Sequence, residues 1–356
     1  MTLIIAEAGV NHNGEERLAL ELIDVAAQAG SDIVKFQTFK SSKLVAAEAP
    51  QADYQRHNTG KAESQREMLS RLELDYATYV RIARHCEAQK IEFLSTAFDL
   101  ESLKFLTGDL GQMRLKIPSG ELTNAPFVLD HARCGLEMIV SSGMASLADI
   151  ENALSVIAFG LIAEPTARAC RAAFAEAYTS SEGRAALLCK VTLMHCTTEY
   201  PAPMAEINLT AMGRLAGAFG LPCGYSDHSQ GFTIPIAAVA LGATMIEKHF
   251  TLNREMEGPD HKASLEPDQL GQMITAIRNV EVALGDGVKR PMPSEVKNMA
   301  VARKSLVTTR AIKAGEVFSE DDLSAMRPGD GFSPMQYWDF VGTKARRDYA
   351  PQEAID

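Results

Sequence analysis

Two histidines stand where apolar, strand-like runs stop: His228 closes Gly224-Tyr225-Ser226-Asp227-His228, and His249 closes Glu247-Lys248-His249. A helix-like stretch over residues 232–241 separates them, which puts both on successive strand ends of a βα repeat. Imidazole nitrogens converging there suit a divalent metal, Mn2+ or Mg2+, whose other positions go to water or substrate. A hydrogen-bonded core histidine is the competing reading for each alone, and the flanking Ser226, Asp227 and Lys248 favour a site. Two lysines give a second signal. Lys35 in Val34-Lys35-Phe36 and Lys116 in Leu115-Lys116-Ile117 place a cation inside an apolar strand, which is costly unless the charge is paired or faces a cleft. With nearby hydroxyls the pair predicts a phosphate pocket. A salt bridge to a neighbouring strand and Schiff-base chemistry are the other uses of such lysines. An aldehyde polarised by a metal needs no imine, so the histidines weigh against the last.

Strand ends imply strands. Apolar or β-branched runs occur near residues 3–6, 32–36, 91–94, 113–117, 137–140, 190–194, 222–225 and 244–246, each followed by a helical period such as Leu18, Leu22, Ile23, Val25 and Ala26. Eight βα units predict a (β/α)8 TIM barrel over residues 1–285, with its active site at the strand ends. A doubly wound open sheet ranks lower, because residues 8–14 after the first strand carry no GxGxxG loop. The other strand ends bring Glu7, Gln37, Ser95, Thr96, Ser119, Glu121, Ser141, Ser142, His195, Thr197 and Tyr200 to the same mouth. Residues 161–184 read as a peripheral surface insertion with one helix-like block over 167–178. Residues 286–299 read as a proline-bearing linker into a small module of short strands and turns over 300–356.

Composition narrows the partners. With 356 residues, 46% hydrophobic and 23% charged, the chain can bury a large core, and a net charge of -11 disfavours nucleic acid or an anionic membrane. Any anionic substrate must therefore be met by placed lysines. The six cysteines show no CxxC pair, which fits mostly buried thiols in a reducing cytoplasm. No secretion signal is visible, and the longest uncharged apolar tract, residues 234–246, is too short to span a bilayer.

Several segments match a known pattern in order: residues 4–14, Val34-Lys35-Phe36-Gln37-Thr38-Phe39, Lys116-Ile117-Pro118-Ser119-Gly120-Glu121, Ser141-Ser142-Gly143-Met144, and His195-Cys196-Thr197-Thr198-Glu199-Tyr200-Pro201. With Tyr225-Ser226-Asp227-His228, Ile246-Glu247-Lys248-His249-Phe250 and Gly258-Pro259-Asp260-His261, they resemble the sialic acid synthase family over nearly the whole chain. The terminal module, with Ala302-Arg303-Lys304-Ser305 and Arg327-Pro328-Gly329-Asp330-Gly331, resembles that family's antifreeze-like (SAF) domain. Within the family, residues 197–200 and 256–264 look more like bacterial sialic and legionaminic acid synthases than pseudaminic acid synthases. The resemblance implies condensation of phosphoenolpyruvate with an open-chain N-acetylmannosamine-type sugar to give a nine-carbon keto acid, with the 2,4-diacetamido-trideoxy sugar as the alternative substrate. Lys35, Thr96, Lys116, Ser119 and Ser226 would then hold phosphoenolpyruvate, and Glu121 would orient or deprotonate the water. Gln37, Tyr200, Asp260 and Glu7 resemble the sugar-binding positions; Glu7 serves equally as a catalytic carboxylate or as a structural partner for Lys35. The resemblance further implies a domain-swapped homodimer in which Arg327 reaches the partner's sugar. A lysine-dependent aldolase and a catalytically silent sugar-binding protein are the readings from other classes.

Overall fold

Each of eight short runs alternates an inward with an outward side chain, and together they form one parallel sheet. The strands are β1 (Leu3–Gly9), β2 (Ile33–Thr38), β3 (Glu92–Ala97), β4 (Arg114–Ile117), β5 (Glu137–Ser141), β6 (Val191–Cys196), β7 (Cys223–Asp227) and β8 (Met245–His249). The computed structural model describes residues 1–60 and 63–356. Its sheet order, β3-β2-β1-β8-β7-β6-β5-β4, is that of a nearly closed (β/α)8 barrel whose backbone ladder is interrupted only between β3 and β4. One glycine shows how tightly the strands approach: a Cβ on Gly224 would lie 2.7 Å from the Met245 carbonyl oxygen, so β7 lies against β8 only with hydrogen at that position.

Period two decides the interior. Ile5, Ile33, Leu94, Ile139 and Met194 form a buried apolar cluster inside the barrel. Two residues further along the same strands stand Glu7, Lys35, Thr96, Ser141 and Cys196, while β4, β7 and β8 contribute Lys116, Ser226 and Glu247. An apolar plug therefore supports a polar floor, and helices cover the outside. The first of them, Glu16–Ala29, buries Leu18, Ala19, Leu22, Ile23 and Ala26 along one stripe and ends at Gly30, whose left-handed φ of 84° lets its N–H close the last turn. Each large side chain so buried contributes about 1.5–3 kcal/mol.

Two expectations change in detail. The insertion holds two helices rather than one, Arg171–Thr179 and Ser181–Lys190, because the Ser180 hydroxyl caps the second by accepting from the Gly183 N–H. Its Ala177 and Leu187 are buried in the main core, so the segment extends the helical layer instead of lying loosely on it. All six cysteines are free, but only Cys86, Cys196 and Cys223 are buried; Cys134 is half-buried, and Cys170, in the insertion, and Cys189, just past it in the second of these helices, are exposed.

The chain divides into two compact units, Met1–Gly285 and Asp286–Asp356. The second begins with a helix, Pro293–Ala302, that starts inside the stretch expected as a linker, 286–299, and runs three residues past it. It continues with an antiparallel pair, β9 (Ser305–Thr308) and β10 (Leu323–Met326), around a core of Leu306, Ile312, Phe318, Leu323, Tyr349 and Ile355. Among the described residues, no helix is long and apolar enough to cross a membrane.

Candidate active site

The polar floor lines a cavity of about 380 Å³ at the strand ends, to which every strand contributes at least one buried side chain: Glu7, Lys35, Thr96, Lys116, Ser141, Cys196, Ser226 and Glu247. Four of these carry charge and balance one another. Lys35 Nζ lies 2.7 Å from Glu7 Oε2 and 3.6 Å from Glu247 Oε2, and Lys116 Nζ lies 2.6 Å from the same Glu247 oxygen. Burial pulls the Lys35 ammonium down, but Glu247 and Glu7 outweigh it and hold its pKa above the ordinary value. Burial wins at Lys116, where Glu247 is opposed by the Lys35 charge, so its pKa is lowered. Burial also pushes Glu247 up, and the two lysines reverse that and keep it ionised; Glu7 stays raised by burial despite Lys35. Hydroxyls complete the floor: Lys35 Nζ donates to Thr96 Oγ1 at 3.2 Å, and Ser226 Oγ donates to Glu247 Oε1 at 2.9 Å.

Both histidines reach this cavity, with ring centroids 5.7 Å apart. His228 Nδ1 bonds the Thr197 carbonyl at 2.6 Å, which assigns the proton to that nitrogen and leaves Nε2 with its lone pair. His249 Nδ1 is buried without a hydrogen-bond partner. Burial lowers the pKa of each, and for His249 the neighbouring His228 adds to it, so both imidazoles are neutral donors. An unpartnered nitrogen beside a second neutral imidazole fits a divalent ion. Among the described residues no group of three His, Cys, Asp or Glu side chains gathers around a common point, and an ion here would be held by His228 and His249 and completed by water and substrate.

Around the rim, Gln37 Nε2 donates to Glu7 Oε1 at 3.2 Å, and Asp260 Oδ2 lies 4.0 Å from His249 Nδ1, its pKa raised to about 7 by burial with Glu7 adding. The Tyr200 ring packs on His228 with centroids 4.1 Å apart. Glu121 lines the cavity and accepts from Asn124 Nδ2 at 2.7 Å. Ser119 Oγ accepts the Gly143 N–H at 3.0 Å; a Cβ on Gly143 would stand 2.8 Å from that hydroxyl and closer still to Thr198, so glycine is required there.

Of the residues anticipated at the barrel mouth, Glu7, Lys35, Gln37, Thr96, Lys116, Ser119, Glu121, Ser141, Tyr200, Ser226, His228, His249 and Asp260 meet in one cavity. Ser95, Ser142, His195 and Thr197 do not line it: the Ser95 hydroxyl pairs with that of Thr38 at 2.7 Å, Ser142 Oγ donates to the Met194 carbonyl at 2.8 Å, and His195 Nε2 bonds the Ile207 carbonyl at 2.8 Å. Nor do Asp227 and Lys248. They pair with each other at 2.5 Å, fully buried, while Lys248 also donates to the Ser229 carbonyl, so these supposed flanks of the site hold β7 to β8 on the other face. Arg327 belongs to the second unit, where it is exposed and its Nε donates to the Ala302 carbonyl at 2.9 Å. Sequence reasoning missed Glu247, although its place two residues before His249 puts it on the same face of β8. It also missed Cys196 and Tyr54, whose ring packs 5.0 Å from Tyr200.

Comparison with known proteins agrees with this geometry. Residues 22–289 match the NeuB family and residues 303–355 match the SAF domain. The chain is 47% identical over 354 residues, 99% of its length and 98% of the relative's, to N,N'-diacetyllegionaminic acid synthase of Campylobacter jejuni. It is 40% identical over 341 residues, 96% of its length and 89% of the relative's, to the protein of the same name in Legionella pneumophila. Its fold resembles the crystal structure of N-acetylneuraminic acid synthetase from Leptospira borgpetersenii, with a TM-score of 0.66 and 31% identity over 83% of this chain and 90% of that one. On these grounds the chain belongs to the NeuB family and carries that family's barrel followed by a SAF domain.

Proposed function

We propose that the protein is a nonulosonic acid synthase that condenses phosphoenolpyruvate with open-chain 2,4-diacetamido-2,4,6-trideoxymannose to give N,N'-diacetyllegionaminate and phosphate. The observation that carries the reaction type is the convergence of Lys35, Lys116 and several hydroxyls beside two neutral imidazoles at the barrel mouth. N-acetylmannosamine, the substrate first implied by the family resemblance, ranks second. The Campylobacter and Legionella relatives bear the legionaminic name, and one wall of the cavity is apolar, with Val10, Phe39, Leu44, Met68, Leu69 and Phe98. Such a wall accepts the methyl groups of a deoxy, diacetamido sugar and leaves a primary hydroxyl without a partner.

On substrate entry Lys35 and Lys116 exchange part of their pairing with Glu7 and Glu247 for the phosphate and carboxylate of phosphoenolpyruvate. Thr96, Ser226 and Ser119 donate beside them; the Ser119 oxygen already accepts the Gly143 N–H, so its proton points onward. His228 and His249 would hold a divalent ion, Mn2+ or Mg2+, which supplies Lewis-acid polarisation of the sugar aldehyde. Phosphoenolpyruvate C3 forms the new bond to the aldehyde carbon, and positive charge develops at C2. Glu121 orients water toward C2 and takes one of its protons, which passes on to the former aldehyde oxygen as that becomes a hydroxyl; the resulting intermediate collapses to the ketone as the C2–O bond to phosphate breaks and the remaining hydroxyl proton leaves with the phosphate. Gln37, Tyr200, Asp260 and Glu7 face the sugar. Arg327 is proposed as a sugar ligand supplied from a second copy in a homodimer, on the family resemblance and its exposed guanidinium.

The test is phosphate release from phosphoenolpyruvate with each sugar in turn. We expect kcat/KM for the diacetamido-trideoxy sugar to exceed that for N-acetylmannosamine by roughly tenfold or more, since one misplaced hydroxyl in an apolar pocket is worth a factor of that size. Equal or reversed values would return the assignment to N-acetylneuraminate.

A further inference from the structure

The barrel ladder closes everywhere except between β3 and β4, and there a side chain takes the ladder's place. Gln112, buried just before β4, accepts the Ser95 N–H at 2.7 Å through Oε1; its Nε2 donates to the Ser95 carbonyl at 3.1 Å and to the Arg114 carbonyl at 2.8 Å. One primary amide thus satisfies both backbone groups of a β3 residue and one of β4, using its acceptor and both of its donors. The Gln112 backbone is fixed in turn, because its N–H bonds the Leu106 carbonyl at 2.9 Å beside a π-helical turn, Phe105–Asp109. A π turn in that position marks an inserted residue retained for a local purpose.

The residues flanking this splice are those of the anion cradle. Thr96 follows Ser95 and contacts Lys35, whereas Lys116 stands two residues after Arg114. The cradle therefore straddles the one seam that backbone hydrogen bonds do not set. Below it Arg114 reaches across the seam more loosely, 3.6 Å from Glu92 on β3, and its nearer partner, Glu137 at 3.2 Å, lies on β5 instead. A cleft lined by Glu92, Gly111, Gln112 and Arg114 opens there, so packing alone does not hold the two strands.

We propose that Gln112 is a positioning residue for phosphoenolpyruvate: its amide fixes the separation of Lys116 on β4 from Lys35 and Thr96 on β2 and β3. This inference rests on the reading of the cradle as the phosphoenolpyruvate site. Gln112→Met keeps the volume and removes all three bonds. We expect its dissociation constant for phosphoenolpyruvate, measured by calorimetry without sugar, to rise by roughly tenfold or more, because small displacements of positioning groups have large effects. The sugar KM should stay within about twofold, because Gln112 does not line the cavity. A purely structural amide would lower the urea midpoint and leave phosphoenolpyruvate affinity alone, and that result overturns the proposal. If Gln112→Met fails to fold, wild-type hydrogen exchange decides: the Ser95 amide should exchange more slowly when phosphoenolpyruvate binds, and an unchanged rate overturns the proposal. Wild-type protein that binds no phosphoenolpyruvate would refute the functional assignment itself, a result distinct from either.

Discussion

Glu247→Gln removes one charge from the centre of the site and almost no volume. In the wild type that carboxylate answers two buried ammonium groups, Lys116 at 2.6 Å and Lys35 at 3.6 Å. Lys35 keeps Glu7 at 2.7 Å after the change, so the uncompensated charge is that of Lys116. Breaking a buried pair from one side costs about 3–5 kcal/mol, a large share of the roughly 5–15 kcal/mol that holds a domain together. Lys116 already has its pKa lowered by burial, and without Glu247 it relieves part of that cost by losing its proton. The sign of the pH effect follows. A lysine whose folded pKa lies below its unfolded value, near 10.4, loses stability as pH falls beneath that value, by about 1.4 kcal/mol per pH unit. The deficit of the variant should therefore shrink by up to about 2.7 kcal/mol between pH 7 and about pH 9. Inorganic phosphate should also stabilise the variant more than the wild type, since it supplies the missing negative charge to the folded state alone. Urea unfolding at both pH values, with and without phosphate, measures all three effects. A variant within about 1 kcal/mol of wild type at pH 7, or equal stabilisation of both proteins by phosphate, would refute the charge-balanced cradle.

His131 is buried, with its pKa lowered to about 4, so it is neutral when folded and would rather be charged when unfolded. Its contribution is full above about pH 6.5 and lost as pH falls toward 4, so His131→Leu should weaken the fall in urea stability between pH 7.5 and 5.5 by about 1.4 kcal/mol. Chelation should abolish turnover and Mn2+ should restore it, while His249→Ala should lose bound metal by atomic absorption; full activity in metal-free buffer contradicts the assignment of His228 and His249. Arg327→Ala and His228→Ala should each be nearly inactive, and refolded together should recover roughly a quarter of the sites if the arginine acts across a two-fold dimer. A mixture that stays inactive places the arginine's action within its own chain.

Much of this site was legible because period-two alternation and strand ends are local properties. Glu7, Lys35, Thr96, Lys116 and Ser226 each stand in a short apolar run, and a barrel brings such positions to one floor whatever the helices do. The same rule applied to β8 would have found Glu247; its neighbour Lys248 drew attention instead, although alternation turns that lysine to the opposite face, where Asp227 neutralises it. Gln112 was not legible. A glutamine before a strand carries no periodic signal, and its use depends on a seam that exists only once eight strands have met. The second insertion helix hinged on a serine cap at Ser180, a single-residue cue just beyond the block, 167–178, that read as helical.

The account turns on phosphate leaving by carbon–oxygen cleavage after water adds to C2 of phosphoenolpyruvate. Phosphoenolpyruvate labelled with heavy oxygen at the bridging position tests this directly, with the diacetamido sugar as acceptor and mass spectrometry of both products. The account predicts that the label appears in the released phosphate and is absent from the keto acid. Label retained in the keto acid would mean that the phosphorus–oxygen bond breaks instead, and would contradict the roles given to Glu121 and to the lysine cradle.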